Sequence, residues 1–298
     1  MLVQGIELDT LPEQFSAPVH DRTLILDGDG PAYVAAATVK RLDTAVRRFQ
    51  TTVLKEMFLA GASSAVVHLT SCDSTKFGRF RVIGAKPYQG QRTNKAKPAL
   101  LEPLRHAMAC HENWLPEFNV TLHRDIEADD AMMRDAYRLR NNGVIRSDDK
   151  DLRMTPFLYF DADRGEVMPA QPVGHVSLKH TPSGTPKLAG QGPMFFWGQM
   201  LAGDTADNIQ GVRLLQGKPC GAVGAYGALR DAGSIQEAAN IVVDAYREID
   251  QNVVAEGWLL WLTRHHEDNV LKYFDEVGLS PENDEFVRDC ALREWVKT

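Results

Sequence analysis

The sequence predicts an α/β fold with a mostly parallel central sheet flanked by helices, followed by a helical C-terminal part. Short apolar runs typical of buried strands alternate with amphipathic runs typical of helices, which is the order of a parallel sheet. An acidic residue ends or closely follows each of these apolar runs. We place the α/β core at residues 1–193 and the helical part at residues 194–298.

Four apolar runs predict the strands of the sheet. They are Thr23–Asp27, Ala65–Leu69, Asn119–His123 and Val144–Ser147. Helical spacing of Val46, Phe49, Val53 and Met57 predicts a helix that Gly61 ends. Further helices are expected at about 101–111 and 127–140, and residues 162–193 predict a β-hairpin with a long loop.

The bulk composition is typical of a globular protein. At 298 residues and 44% hydrophobic, the chain can bury a sizeable core. We expect a cytoplasmic protein with no membrane contact, because Met1–Thr10 has no signal-peptide pattern and no run approaches the roughly 18 apolar residues of a span. The four cysteines form no CxxC pair, which favours reduced thiols.

The net charge of −7 argues at first against a nucleic-acid partner, since lysine and arginine make phosphate contacts. The charges are segregated, however. Between Lys76 and Arg105 the only acidic residue is Glu102, and the basic residues there include Arg79, Arg81, Lys86, Arg92, Lys95 and Lys97. This basic segment could attract a phosphate backbone even though the chain as a whole is acidic.

Acidic residues follow each predicted strand. Because the carboxyl ends of parallel strands meet at one edge of a sheet, where ligands bind in open α/β folds, we expect these side chains to gather there. A further pair in the helical part has the i,i+3 spacing of one helical face. The candidates are Asp27, Asp73, Glu127, Asp129, Asp130, Asp149, Asp151, Asp204 and Asp207.

So many carboxylates in one place repel one another unless cations lie among them. Oxygen ligands without thiolate or paired histidines suit Mg²⁺ or Mn²⁺ rather than zinc. Two such ions about 4 Å apart activate a water and stabilise the leaving oxygen of a phosphodiester. Each acidic motif alone is typical of a turn, a helix start or a polar loop, so the prediction depends on their order along the chain.

In that order, the motifs resemble those of the structure-specific 5′ nucleases, from about Thr23 to Gly227. This family includes flap endonucleases, the 5′ nuclease domain of bacterial DNA polymerase I and phage 5′→3′ exonucleases. The resemblance is carried by Leu26-Asp27-Gly28, by Asp73 with the basic segment, by Glu127-Ala-Asp-Asp130, by Ser147-Asp-Asp-Lys-Asp151, and by Gly203-Asp-Thr-Ala-Asp207. The chain's size is most similar to that of a stand-alone phage exonuclease.

The resemblance implies a PIN-like core, a helical arch at about 76–98 and a helix-three-turn-helix segment. It implies two Mg²⁺ ions, replaceable by Mn²⁺, and a DNA substrate with a free 5′ end or 5′ flap, with an RNA–DNA hybrid as a further possible substrate. One ion would be held by Asp27, Asp73, Glu127, Asp129 and Asp130, and the other by Asp149, Asp151, Asp204 and Asp207. Expected DNA contacts are Arg79, Tyr88 by base stacking or as a packed aromatic, Gln89, Lys95, Lys97 and Lys218.

Two departures from the family pattern matter. The family usually has lysine or arginine where Gln89 stands, so either Lys86, Arg92 or Arg81 supplies the catalytic cation or the cleavage rate is lower. The family's glycine-rich hairpin is represented only by Leu214–Pro219, which leaves a bound monovalent cation open.

Two other classes of protein remain. A haloacid dehalogenase-type phosphatase would use Asp27 as the nucleophile and Asp29 as the general acid, but it leaves the motifs at 127–130 and 149–151 without a role. A catalytically silent protein that binds branched DNA would not need so many acids. Covalent phosphorylation of Asp27 would favour the phosphatase, and absence of cleaved nucleotides would favour the silent binder.

Overall fold

The computed structural model describes residues 2–3, 6–7, 19–91 and 96–297. A six-stranded sheet lies at its centre, with the strand order β5-β4-β3-β6-β7-β8. The first five strands in this order run parallel and β8 is antiparallel. The strands of this sheet are β3 (Thr23–Asp27), β4 (Ser64–Thr70), β5 (Phe118–His123), β6 (Gly143–Arg146), β7 (Leu158–Asp161) and β8 (Glu166–Met168).

The mostly parallel α/β fold predicted from the sequence is confirmed. The first four predicted strands are β3, β4, β5 and β6 of the sheet, each within about one residue of its expected position. The strands β7 and β8 were missed, because they fall in and beside a stretch rich in glycine and proline that has no clear period. One pair of two-residue strands, β1 (Leu2–Val3) and β2 (Ile6–Glu7), forms a separate antiparallel ladder.

The alternation of side chains along β3 divides the apolar core into two layers. Leu24 and Leu26 pack on one face with α1, α2 and α3, whereas Ile25 packs on the other face with α4 and the C-terminal helices. The helices of the first face are α1 (Asp29–Thr38), α2 (Leu42–Ala60) and α3 (Leu101–Ala109). On the second face lies α4 (Ala128–Leu139). As predicted, Gly61 ends α2, with the left-handed φ of 61° that favours glycine.

The C-terminal part is mostly helical, as expected from the sequence. A hairpin of β9 (His175–His180) and β10 (Pro186–Gln191) precedes it. The loop after α5 carries the short hairpin of β11 (Leu214–Leu215) and β12 (Lys218–Pro219). The helices are α5 (Pro193–Ala202), α6 (Ala222–Leu229), α7 (Ile235–Glu248), α8 (Val253–Leu260), α9 (Val270–Glu276) and α10 (Pro281–Leu292). The domain boundary at residue 193 stays a prediction.

The basic segment differs from the expected helical arch. Within residues 76–91 and 96–98, the structure has no α-helix but a 3₁₀ segment at Lys76–Arg81 that is interrupted by a kink at Phe77 and Gly78. The segment is tied down at several points, since Ile83 N donates to Trp295 O at 2.8 Å and Gln89 N donates to Asp207 O at 2.8 Å. Among the described helices, none is long and apolar enough to cross a membrane.

Candidate metal and phosphate site

An acidic cavity of about 360 Å³ lies at the carboxyl edge of the sheet. Six carboxylates and three cationic side chains line it. They are Asp27, Asp29, Glu127, Asp129, Asp149 and Asp207 with Lys76, Lys97 and Arg105. The first two acids lie at the end of β3 and the start of α1, Glu127 and Asp129 lie at the start of α4, and Asp149 follows β6. The fold therefore brings together acids that follow β3, β5 and β6, whereas Asp73, which follows β4, does not line the cavity.

Asp207 also belongs to an aspartate trio with Asp151 and Asp204. Each residue of the trio offers one carboxylate oxygen, and these oxygens lie within 4.8 Å of one another. Lys150 lies against it, with Nζ 3.1 Å from Asp204 Oδ1 and 3.4 Å from Asp151 Oδ1. Among the described residues, this is the only group of three or more potential ligands with that geometry. Three carboxylate oxygens at this spacing fit a divalent cation with oxygen ligands.

Asp204 and Asp207 share a tight loop rather than the helical turn that the sequence suggested. Asp204 N donates to Ile209 O at 2.9 Å, and Ile209 N donates to Asp204 O at 2.7 Å, so the loop closes on itself. Gly203 before it has a φ of 73°, and a Cβ there would lie 2.4 Å from Gln210 O. Only glycine fits this position, and the closed loop directs both aspartates toward Asp151.

The site carries more negative charge than its own cations balance. Burial, together with the charge of Asp29, raises the pKa of Asp27 to about 6 even though Ser147 Oγ donates to its carboxylate. Burial raises the pKa of Asp151 to about 7, and Lys150 offsets only part of that rise. Burial also raises the pKa values of Asp129 and Asp149, with the neighbouring carboxylates contributing. These shifts are those of a carboxylate cluster that a bound cation would stabilise.

The chain matches no protein-family model and no curated protein. Solved structures do match it. One is a T5 protein co-crystallised with metal ions, at 17% identity and a TM-score of 0.54, and another is T5 5′-exonuclease with zinc ions bound, at 17% identity and a TM-score of 0.51. Each match covers 91% of this chain and 98% of the T5 chain. The chain has the fold of T5 5′-exonuclease. The fold expected from the sequence motifs is thereby confirmed.

Asp130 and Arg79 form a buried ion pair. The sequence had predicted Asp130 as a metal ligand and Arg79 as a DNA contact. Arg79 is 1% exposed and Asp130 is fully buried. Arg79 donates to both oxygens of Asp130 at 2.7 and 3.1 Å, and Thr263 donates to Asp130 Oδ1 through N and Oγ1. The Arg79 guanidinium holds the pKa of Asp130 below its usual range despite burial. Neither side chain reaches the cavity, so both site expectations were wrong.

Tyr88 is buried, with 6% of its surface exposed, and does not present its ring for base stacking. Of the two roles left open for it, the packed aromatic is therefore the one observed. Its hydroxyl lies 2.9 Å from Glu127 Oε2 and 3.2 Å from Asp207 Oδ2. Gln89 Nε2 donates to Asp207 Oδ1 at 2.9 Å and to Tyr88 Oη at 3.1 Å. Burial and these carboxylates raise the Tyr88 pKa, so the hydroxyl keeps its proton. Tyr88 and Gln89 thus orient acids of the site.

Other predicted residues are not brought to the cavity. Asp73 is 58% exposed and pairs with Arg124 at 3.0 Å. Arg81 donates to Lys297 O at 3.0 and 2.8 Å, which holds the C-terminal segment rather than a substrate phosphate. Lys86 and Lys218 are exposed and do not line the cavity. Arg92 and Lys95 lie outside the described residues.

Some residues of the site were not among the predicted candidates. Lys76 Nζ donates to Glu127 Oε1 at 2.8 Å and to Gln89 Oε1 at 3.0 Å. Arg105 on α3 donates to Asp29 Oδ1 at 2.7 Å. Gln199 Nε2 donates to Asp151 Oδ1 at 2.6 Å. Composition marked Lys76 and Arg105 only as members of the basic segment, and no local pattern marks Gln199, which comes from a helix remote in sequence.

Proposed function

We propose that this protein is a metal-dependent 5′ nuclease that hydrolyses DNA phosphodiester bonds. The observation that carries the proposal is the acidic cavity adjoining the aspartate trio, with Asp207 in both. The likeness in fold to T5 5′-exonuclease, solved with metal ions, supports it. Mg²⁺ is the proposed ion, because every candidate ligand is a carboxylate oxygen.

The residues present suit two divalent ions. Asp151, Asp204 and Asp207 would hold one, and Asp27, Glu127, Asp129 and Asp149 would hold the other, some through water. Bound there, the ions would supply water activation and charge stabilisation.

The cationic side chains supply the second part of the proposal. Lys76, Lys97 and Arg105 line the same cavity, so a phosphodiester entering it meets positive charge from the basic segment and α3 as well as the carboxylates at the sheet edge. In the hydrolysis, a water oxygen bonds to phosphorus, the ester P–O bond breaks, and the leaving oxygen ends as an alcohol after gaining a proton. No oxidant or reductant is needed.

The phosphatase alternative has a weaker structural basis. It needs Asp29 as a general acid, but both Asp29 oxygens accept from Thr70 N at 3.3 and 3.2 Å, and Arg105 binds Oδ1. Both Asp29 oxygens are thus already engaged by groups of the fold. In the proposed nuclease, Asp29 accepts the hydrogen bond that holds Arg105 at the wall of the cavity.

The testing experiment is digestion of duplex, 5′-flap and single-stranded DNA, each labelled at the 5′ or the 3′ end, with Mg²⁺ or EDTA. We expect Mg²⁺-dependent release of products from the 5′ end or flap, and loss of at least a hundredfold in rate for Asp204→Ala. The matched control is Asp163→Ala, an exposed aspartate in the turn between β7 and β8. Full activity after exhaustive chelation, or degradation from the 3′ end alone, would refute the proposal.

A further inference from the structure

The ammonium of Lys76 lies inside the acidic cavity. Lys76 lines the cavity, and only 18% of its side chain is exposed. It contacts the carboxylate of Glu127 at 2.8 Å and the side-chain oxygen of Gln89 at 3.0 Å, and it lies over the Phe80 ring, 5.5 Å from the centroid. The neutral residue at position 89 thus accepts a hydrogen bond from a cation that comes from elsewhere in the basic segment.

The other cations of the described basic segment do not occupy this position. Arg79 is buried in an ion pair with Asp130, and Arg81 donates hydrogen bonds to Lys297 O. Lys86 is exposed and does not line the cavity. Lys97 does line it but is exposed, whereas only 18% of the Lys76 side chain is exposed.

The backbone at Lys76 has a strained, left-handed conformation. Lys76 and Phe77 have φ values of 50° and 55°, in the left-handed region that residues with a Cβ rarely adopt, and Gly78 follows at 73°. Such strain persists only where the surroundings enforce it, and it concentrates at functional sites. Positive φ at two successive non-glycine residues is therefore evidence that the position of this turn matters.

The surroundings do enforce this turn. Phe77 N donates to Asp125 O at 2.8 Å, and the Phe77 ring stacks on Trp258 of α8 at 5.3 Å between centroids. Ser74 Oγ donates to Ile126 O at 2.9 Å and accepts from Lys76 N at 3.2 Å. The turn is fastened to the segment that leads into Glu127, so Lys76 keeps its position relative to that acid.

We propose that Lys76 is a catalytic residue whose ammonium contacts the scissile phosphate, and that Gln89 is the positioning residue that holds it. This inference rests on the proposed nuclease function. A phosphoryl group undergoing hydrolysis concentrates negative charge on its non-bridging oxygens, and a fixed cation stabilises that charge. Lys76 thus supplies from a different position the cation that residue 89 lacks.

The experiment compares Lys76→Met, Lys76→Arg and the control Lys55→Ala in single-turnover cleavage of 5′-flap DNA. Lys55 is an exposed lysine on α2 that does not line the acidic cavity. We expect Lys76→Met to lower the cleavage rate by about 10²- to 10³-fold, as for loss of one charge-stabilising donor. Its DNA dissociation constant, measured in EDTA, should rise less than threefold. Lys76→Arg should recover at least a tenth of the rate, and Lys55→Ala should match the parent.

The double variant Lys76→Met/Gln89→Lys separates a catalytic role from a structural one. It restores a cation at the neighbouring position, so its rate should exceed that of Lys76→Met at least tenfold, with both melting temperatures recorded. A purely structural Lys76 would give equal losses in the two variants and a lowered melting temperature, which would overturn the proposal. So would a Lys76→Met rate within threefold of the parent. A parent enzyme that cleaves no DNA would refute the proposed function itself, whereas an active parent with an active Lys76→Met refutes only this inference.

Discussion

Replacing Asp130 with alanine should destabilise the fold while leaving divalent-ion affinity nearly unchanged. The carboxylate is fully buried and accepts four hydrogen bonds, two from Arg79 and two from Thr263. Its removal leaves the Arg79 guanidinium buried and short of its main counter-charge. Two partners of Arg79 would remain, namely Glu127 Oε2 at 3.3 Å and Trp261 O at 2.7 Å.

Breaking a buried ion pair costs about 3–5 kcal/mol, because the remaining charge stays desolvated. The remaining contact with Glu127 favours the lower half of that range. For a domain of this size, 1 kcal/mol corresponds to about 2 °C, so we expect the melting temperature to fall by about 6–8 °C. Thermal and urea unfolding in EDTA measure the loss, and calorimetric titration with Mn²⁺ at low temperature measures ion affinity.

The adjacent residue provides the matched control. Asp129 lines the acidic cavity, and burial with neighbouring carboxylates raises its pKa. Asp129→Ala should therefore keep or raise the melting temperature in EDTA and weaken Mn²⁺ binding at least tenfold. The opposite pattern, with Asp130→Ala stable but weak in Mn²⁺ binding, would show that the buried ion pair is misassigned.

Three further predictions concern the site. In EDTA, the free energy of unfolding of the parent relative to that of Asp27→Asn/Asp151→Asn should fall as pH rises from about 4 to about 7, because burial raises the pKa of Asp27 to about 6 and of Asp151 to about 7, so these two groups bind more protons in the folded state than in the unfolded state. The comparison with the variant removes the opposing contribution of His123, whose pKa burial lowers to about 4. Urea unfolding across this range checks the sign, and a rise would contradict it. Mg²⁺ should raise the melting temperature at pH 7.5 for the parent but not for Asp204→Ala, in calorimetric scans with and without the ion. Gln89→Lys alone should keep or raise the cleavage rate, and a tenfold fall in single-turnover assays would contradict this.

Local sequence was enough for four of the six strands of the central sheet, β3, β4, β5 and β6. Apolar runs such as Thr23–Asp27 have few alternatives to a buried strand, and an acid at the end of each run lies at the carboxyl edge by topology alone. Gly61 was also placed correctly, because a helix C-terminus commonly needs the left-handed conformation. These features depend on residues close together in the chain, so a periodic pattern reveals them.

The strands β7 and β8 could not be predicted in the same way. Tyr159 and Phe160 are buried, but the stretch that follows them has no clear period of two, and β8 holds only three residues. The strand β8 forms because it pairs with β7, and its own three residues carry no strand pattern. Short edge strands depend on their partner more than on their propensity.

Which acids face the cavity was decided by the tertiary structure. Asp129 and Asp130 are neighbours in the sequence, but successive residues of a helix point about 100° apart, so one faces the cavity and the other faces Arg79. The partner that fixes this outcome, Thr263, lies 133 residues away. Tertiary packing also decided which cation of the basic segment faces the cavity. The composition of this segment predicted positive charge above the acids, but only the packing of Phe77 on Trp258 and the burial of Arg79 determined that Lys76 enters the cavity. Charge and periodicity are local properties of a chain, whereas the direction of a side chain depends on which distant surface packs against it.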